Sequence, residues 1–156
     1  MSTQDFLTNA EVDALNASFD ANWDRRVLGA TNAKRHAVDQ FHGMLGWPLP
    51  HSQPFRDLLA HPKLVPYLNT IFGRGWRMDQ GPFMYTSRAG YTGEPGGGMS
   101  LHGGQTWGVH EGQNGGGMGA YYRYANGVMR TGVVVCAFQL SDVEPGDGGF
   151  GCIPAS

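Results

Sequence analysis

The sequence predicts an α+β domain: helices first, then a run of short strands, with the helices packed on the outside of a β-sandwich or partial jelly roll. Three observations predict it. Helical spacing and helix punctuation are confined to the stretch before Gly75. After it, runs rich in aromatic and β-branched residues are broken by Gly, Pro and Asn-Gly. Glycine supplies 25 of 156 residues, so much of the chain must turn tightly. The expected organisation is an N-terminal helical region, residues 1–75, packing on the sheet, and residues 76–156 as the first part of a jelly-roll domain.

The first element is the clearest. Thr8-Asn9-Ala10-Glu11 has the form of a capping box, in which hydroxyl and carboxylate each satisfy an orphan amide of the other residue. Val12, Leu15 and Phe19 follow at helical spacing, predicting an amphipathic helix over residues 9–20. Asp24 to Ala37 is polar and expected to be irregular. A short helix is expected over Ala37 to Leu45, stopped before Trp47-Pro48-Leu49-Pro50 because proline cannot continue it. Ser52 to Leu59 starts another, with Pro54 in its first turn. His61-Pro62 interrupts the pattern, and Lys63 to Phe72 resumes it with Leu64, Leu68, Ile71 and Phe72, stopped by Gly73.

The second half is expected to be strands. Trp76 to Pro82 and Phe83 to Ser87 are short strand candidates, as is Tyr121 to Tyr124. Asn126-Gly127 is the dipeptide preferred in a two-residue hairpin turn. Met129 to Leu140 has the strongest strand character, and Val133-Val134-Val135 with Ala137-Phe138 predicts cover on both faces. Pro145 to Gly149 is a turn, and Phe150 to Ile153 opens a further strand. About five or six strands fall short of the roughly eight of a jelly roll. The sequence is therefore expected to be the front of such a domain, and poorly stable alone because an edge and an inner face would lie uncovered.

Composition narrows the function. Eleven basic and 13 acidic residues give a net charge of −2 with no basic run. That opposes nucleic-acid binding by phosphate neutralisation and attachment to an anionic membrane. No apolar run approaches a membrane span. Cys136 and Cys152 do not make a disulfide framework, and the N-terminus lacks the basic and apolar regions of a signal peptide. A cytoplasmic protein acting on a small molecule is expected, with no protein partner implied.

Phosphate loops and serine elbows are absent: no Gly-x-Gly-x-x-Gly opens a helix, and no Gly-x-Ser-x-Gly occurs. The chemistry centres on Leu101-His102-Gly103-Gly104, between the glycine runs 93–98 and 112–119. An imidazole flanked by glycine has backbone room around it and suits a borderline metal such as Fe(II); it also suits a structural role. His110-Glu111, eight residues on, offers a further nitrogen and carboxylate or forms a solvated loop pair. His36, His42, His51 and His61 lack ligand spacing and are expected to be structural. Asp142, Glu144 and Asp147 group around a turn. Cys136 is expected to be buried and inert, with Cys152 near it on a neighbouring strand.

The order of these motifs resembles the phytanoyl-CoA dioxygenase family. It runs from the His61-Pro62-Lys63-Leu64 helix ending in Ile71-Phe72-Gly73, through Leu101-His102-Gly103-Gly104, to the strand from Gly132 to Val143. Pro145-Gly146-Asp147-Gly148-Gly149-Phe150 and Ile153-Pro154-Ala155-Ser156 follow, similar to that family's P-G-D-G-G-F and I-P-G-S-H-K signature. The resemblance covers residues 55–156 well and the first helix loosely. It implies a double-stranded β-helix holding Fe(II), with 2-oxoglutarate and O2 as co-substrates and hydroxylation of a small molecule as the activity. It implies His102 as the first iron ligand, with Gly103 and Gly104 letting substrate or co-substrate approach, and Tyr85, Trp107 or Tyr122 lining the pocket. Those three rings serve equally as core residues.

One departure concerns the ligand set. Gly104 stands where the family carries an aspartate ligand, and glycine offers no side-chain oxygen. Glu111, or Asp79, then supplies the carboxylate; or chloride fills the position, as in related halogenases; or the metal site is lost and the domain is a cupin-like binding or structural module. The family's distal histidine and the arginine that pairs with 2-oxoglutarate lie downstream of the matched residues, so the 156 residues alone are expected to be inactive.

Overall fold

The computed structural model describes residues 5–28, 38–78, 80–87, 123–130 and 132–144. Helix α1 spans Asn9–Ala21, and its start is the capping box. The Thr8 backbone N–H donates to Glu11 Oε2 at 2.7 Å, and the Glu11 N–H donates to Thr8 Oγ1 at 3.3 Å. Leu15, Ser18 and Phe19 form the buried face. At the far end the buried Asn22 amide donates to the Ser18 carbonyl at 2.9 Å, taking up one of the helix's terminal acceptors.

A 3-10 turn at Trp23–Arg25 leads into strand β1, Val27–Leu28, and strand β2 follows at Val38–His42. Here the expected helix over Ala37 to Leu45 is corrected: the segment is a strand ended by Gly43, then a 3-10 turn at Met44–Gly46. Gly43 has φ +100°, a conformation that favours glycine and breaks any helix there. Val38, Phe41 and Leu45 fit helical spacing, but β2 is a central strand with partners on both sides, and pairing overrides local periodicity.

Helix α2 spans Gln53–Leu59 with proline in its first turn, and α3 spans Val65–Phe72. Gly73, at φ +76°, ends α3 as expected, its N–H returning to the Asn69 carbonyl at 3.0 Å. Strand β3 is Met84–Ser87; the segment before it, expected to be a strand over Trp76 to Pro82, forms none among its described residues. β1, β2 and β3 make one antiparallel sheet in that order, with Phe41 opposite Met84 and Gln40 opposite Tyr85. The sheet therefore joins residues on both sides of Gly75, and the region before Gly75 contributes two of its strands as well as the helices.

β4, Arg123–Ala125, and β5, Val128–Arg130, form a hairpin through Asn126-Gly127. Both turn residues have positive φ, +54° and +75°, as the two-residue turn requires. Gly132 to Leu140, expected to be a strand covered on both faces, carries no regular secondary structure. Val135 is 76% exposed, and Cys136 is exposed rather than buried. Apolar composition predicts burial only if other strands flank the segment, and no strand among the described residues pairs with it. It lies instead along α1: the Asn16 amide donates to the Leu140 carbonyl at 2.8 Å, and Phe6 meets Phe138 with ring centroids 5.7 Å apart.

The core sits between α1, α2 and one face of the sheet. Leu15, Phe19, Phe41, Met44, Trp47 and Phe55 form it, with Leu45, Leu58, Met84 and Leu140 packed around. Phe19 is its hub, within 5.7 to 6.1 Å of the rings of Trp23, Phe41 and Trp47. Arg26 closes the rim, its guanidinium 3.5 Å above the Trp23 ring.

Candidate functional site

Of the metal, cofactor-binding and pocket candidates named from the sequence, only Tyr85 lies within the described part. His102, Gly103, Gly104, Trp107, His110, Glu111 and Tyr122 lie outside it, as do Asp79, Asp147 and Cys152. Among the described residues no three His, Cys, Asp or Glu side chains converge as a metal ion needs.

Tyr85 stands on the sheet face opposite the core. Side chains alternate along a strand, so Phe41 and Met84 point toward α1 while their neighbours Gln40, His42 and Tyr85 point away. Phe83 joins that outer row: its ring lies 5.5 Å from His42 and 5.1 Å from Tyr85, edge-on at 80° to the phenol. Val27, opposite His42 in the register, completes it. The Gln40 amide donates to the Tyr85 hydroxyl oxygen across the β2–β3 pair at 3.2 Å. Tyr85 remains 42% exposed; what burial it has raises its pKa above the ordinary phenol value.

This face presents three rings, one aliphatic group and one amide, without Lys, Arg, Asp or Glu among these side chains. It makes a wall without fixed charge, suited to contact with a flat or apolar group, with hydrogen-bonding capacity at Gln40 and Tyr85. Gln40 was missed in the sequence because its segment carries helical spacing, and His42 was expected to be structural. The alternative strand pattern, with Phe41 between two polar residues, was the available signal.

A second cluster joins the helices. His61 is 6% exposed at the α2–α3 junction. The Lys63 backbone N–H donates to its Nδ1 at 3.2 Å, which leaves the proton on Nε2, 3.1 Å from Glu11 Oε1. Its ring packs 5.2 Å from Phe6, and the Lys63 ammonium donates to the Phe6 carbonyl at 2.8 Å. Glu11 is held down to about 2, chiefly by the Thr8 backbone N–H, then by the Thr8 hydroxyl, and less by His61. Both ring nitrogens are engaged within the protein, so the cluster is a fastening between α1 and the α2–α3 turn. That arrangement fits the structural role expected of His61.

Partial burial pushes the Cys136 thiol pKa up, away from the reactive thiolate. No helix among the described residues is long and apolar enough to cross a membrane. No family model, curated protein or solved structure matches the chain.

Proposed function

We propose that these residues belong to an Fe(II)- and 2-oxoglutarate-dependent dioxygenase of the phytanoyl-CoA dioxygenase type, acting on a small molecule. The observation that carries the proposal is the order of motifs, Leu101-His102-Gly103-Gly104 followed by Pro145 to Phe150 and Ile153 to Ser156. The sheet is compatible with it: helices cover one face, and the other carries a row of rings, without fixed charge, that includes Tyr85. In a jelly roll that second face lines the interior.

His102 would hold the iron, with Glu111 or His110 as further donors. Gly103 and Gly104 would leave room for substrate or co-substrate beside it. Bound there, the iron would supply oxidation of an unactivated C–H bond coupled to decarboxylation of 2-oxoglutarate. The described residues would contribute the wall against which substrate is oriented, through Tyr85 and Phe83, and the α1 packing that keeps the sheet rigid. Trp107 and Tyr122 complete the set of candidate lining rings.

The test is iron content and 2-oxoglutarate consumption by the whole natural polypeptide that contains these residues. Iron-dependent succinate production, abolished in His102→Ala, is the expected result. A folded protein that binds no iron and consumes no 2-oxoglutarate would remove the proposal and favour a cupin-like binding or structural module. Gly104 favours one variation, a halogenase with chloride in the vacant ligand position. Chlorinated product in the presence of chloride would decide for it, and hydroxylation alone would decide against it.

A further inference from the structure

We infer that Gln40 is a positioning residue for Tyr85, aiming the phenol proton away from β2 toward a substrate that offers an uncharged hydrogen-bond acceptor beside a flat apolar group. The role in turnover rests on the dioxygenase proposal; the hydrogen-bond arrangement does not.

The argument starts from register. Gln40 and Tyr85 are directly opposed on β2 and β3, so their side chains share a face and are held close by the backbone ladder. The amide N–H donates to the phenol oxygen at 3.2 Å. A phenol has one proton to give. With its oxygen already accepting from Gln40, that proton is turned away from the Gln40 amide. Phe83 stands edge-on to the phenol and also touches His42, which restricts rotation of the Tyr85 ring. The result is a donor of fixed direction next to two further rings.

The surroundings define what it recognises. Val27, Gln40, His42, Phe83 and Tyr85 include no lysine, arginine or carboxylate, so this row holds no fixed charge to balance a phosphate or a carboxylate. A carbonyl, ether or hydroxyl oxygen on an apolar body matches a single O–H donor flanked by rings.

Carbon-13 at tyrosine Cζ follows Tyr85 ionisation, with the signal assigned by its loss in Tyr85→Phe. An N–H donor favours the phenolate, so Gln40→Leu is expected to raise the Tyr85 pKa by about half a unit to one unit. Gln40→Glu replaces the donor with an acceptor and is expected to raise it further. Unchanged amide exchange at Phe41 and Met84 in Gln40→Leu separates this effect from loss of the sheet. Benzamide, a flat ring with one carbonyl acceptor, serves as the binding probe, read at His42 and Phe83 resonances. Its affinity is expected to fall about three- to ten-fold in both Gln40→Leu and Tyr85→Phe. A Tyr85 pKa indifferent to Gln40→Leu, or equal benzamide affinity in all three proteins, overturns the inference. Neither measurement uses iron or 2-oxoglutarate. If both effects appear while the folded protein consumes no 2-oxoglutarate, it is the dioxygenase proposal that fails.

Discussion

The two faces of the β1–β2–β3 sheet carry similar side chains and differ in what lies against them. On one face Phe41 is buried within a chain of rings that runs through Phe19 and Trp47 to Phe55. On the other, Phe83 and Tyr85 pack edge-on against each other, yet Tyr85 stays exposed. Both arrangements use aromatic geometry worth about 0.5–1.5 kcal/mol per pair. Only the first adds removal from water on every side, because α1 and α2 cover it. Ring content therefore does not separate the core from the candidate binding wall; the helices do.

The largest expected effect tests that division directly. Phe19→Ala should cost about 3–5 kcal/mol in urea unfolding, since it opens a cavity among the rings of Trp23, Phe41 and Trp47. Phe83→Ala on the open face should cost about 1 kcal/mol or less. Equal losses would mean that the outer face is also a packed core. Next in size is the fastening that holds the covering helix. His61→Ala removes a ring packed on Phe6 and strands the Lys63 N–H, and should cost about 2 kcal/mol. Hydrogen exchange at residues 5–8 should quicken, and unchanged exchange there would deny His61 its role.

Smaller again is the end of α1. Thr8→Ala should cost about 1 kcal/mol through lost capping. The same box gives a pH signature of defined sign. Glu11 is held at about 2 against an ordinary value of 4.5, so the folded chain binds fewer protons there than the unfolded chain between those values. Its contribution is complete above 4.5 and is lost as pH falls toward about 2. The stability gap between the natural chain and Glu11→Gln should therefore shrink over that window; a constant gap would contradict the hydrogen-bonded carboxylate. The smallest effect is expected from Asn16→Ala, about 1 kcal/mol or less, with faster proteolysis confined to residues 132–140. Proteolysis at an unchanged rate would show that Asn16 does not hold that segment against α1.

Much of the helical part was legible because its signals are short-range. The Thr8–Glu11 box, Pro54 in the first turn of α2, Gly73 after α3 and the Asn126-Gly127 turn each act within about four residues. β2 was misread because its partner residues in β3 lie more than forty positions away, while helical spacing is visible within the segment itself. Gly132 to Leu140 was misread for a related reason: a run of valines states a preference for cover without stating that cover exists. The candidate site divides in the same way. His102 is a candidate from motif order alone, whereas the opposition of Gln40 and Tyr85 enters only once β2 lies beside β3.

The sequence by itself determined where α1 begins, where α2 and α3 end, and where the hairpin turns. Capping and glycine conformation are properties of neighbouring residues. Tertiary structure alone decided that Phe41 is core while Tyr85 faces outward beside Gln40, and that His61 fastens the helices. Burial and cross-strand hydrogen bonds are relations between distant segments, and they exist only after the chain has brought those segments together.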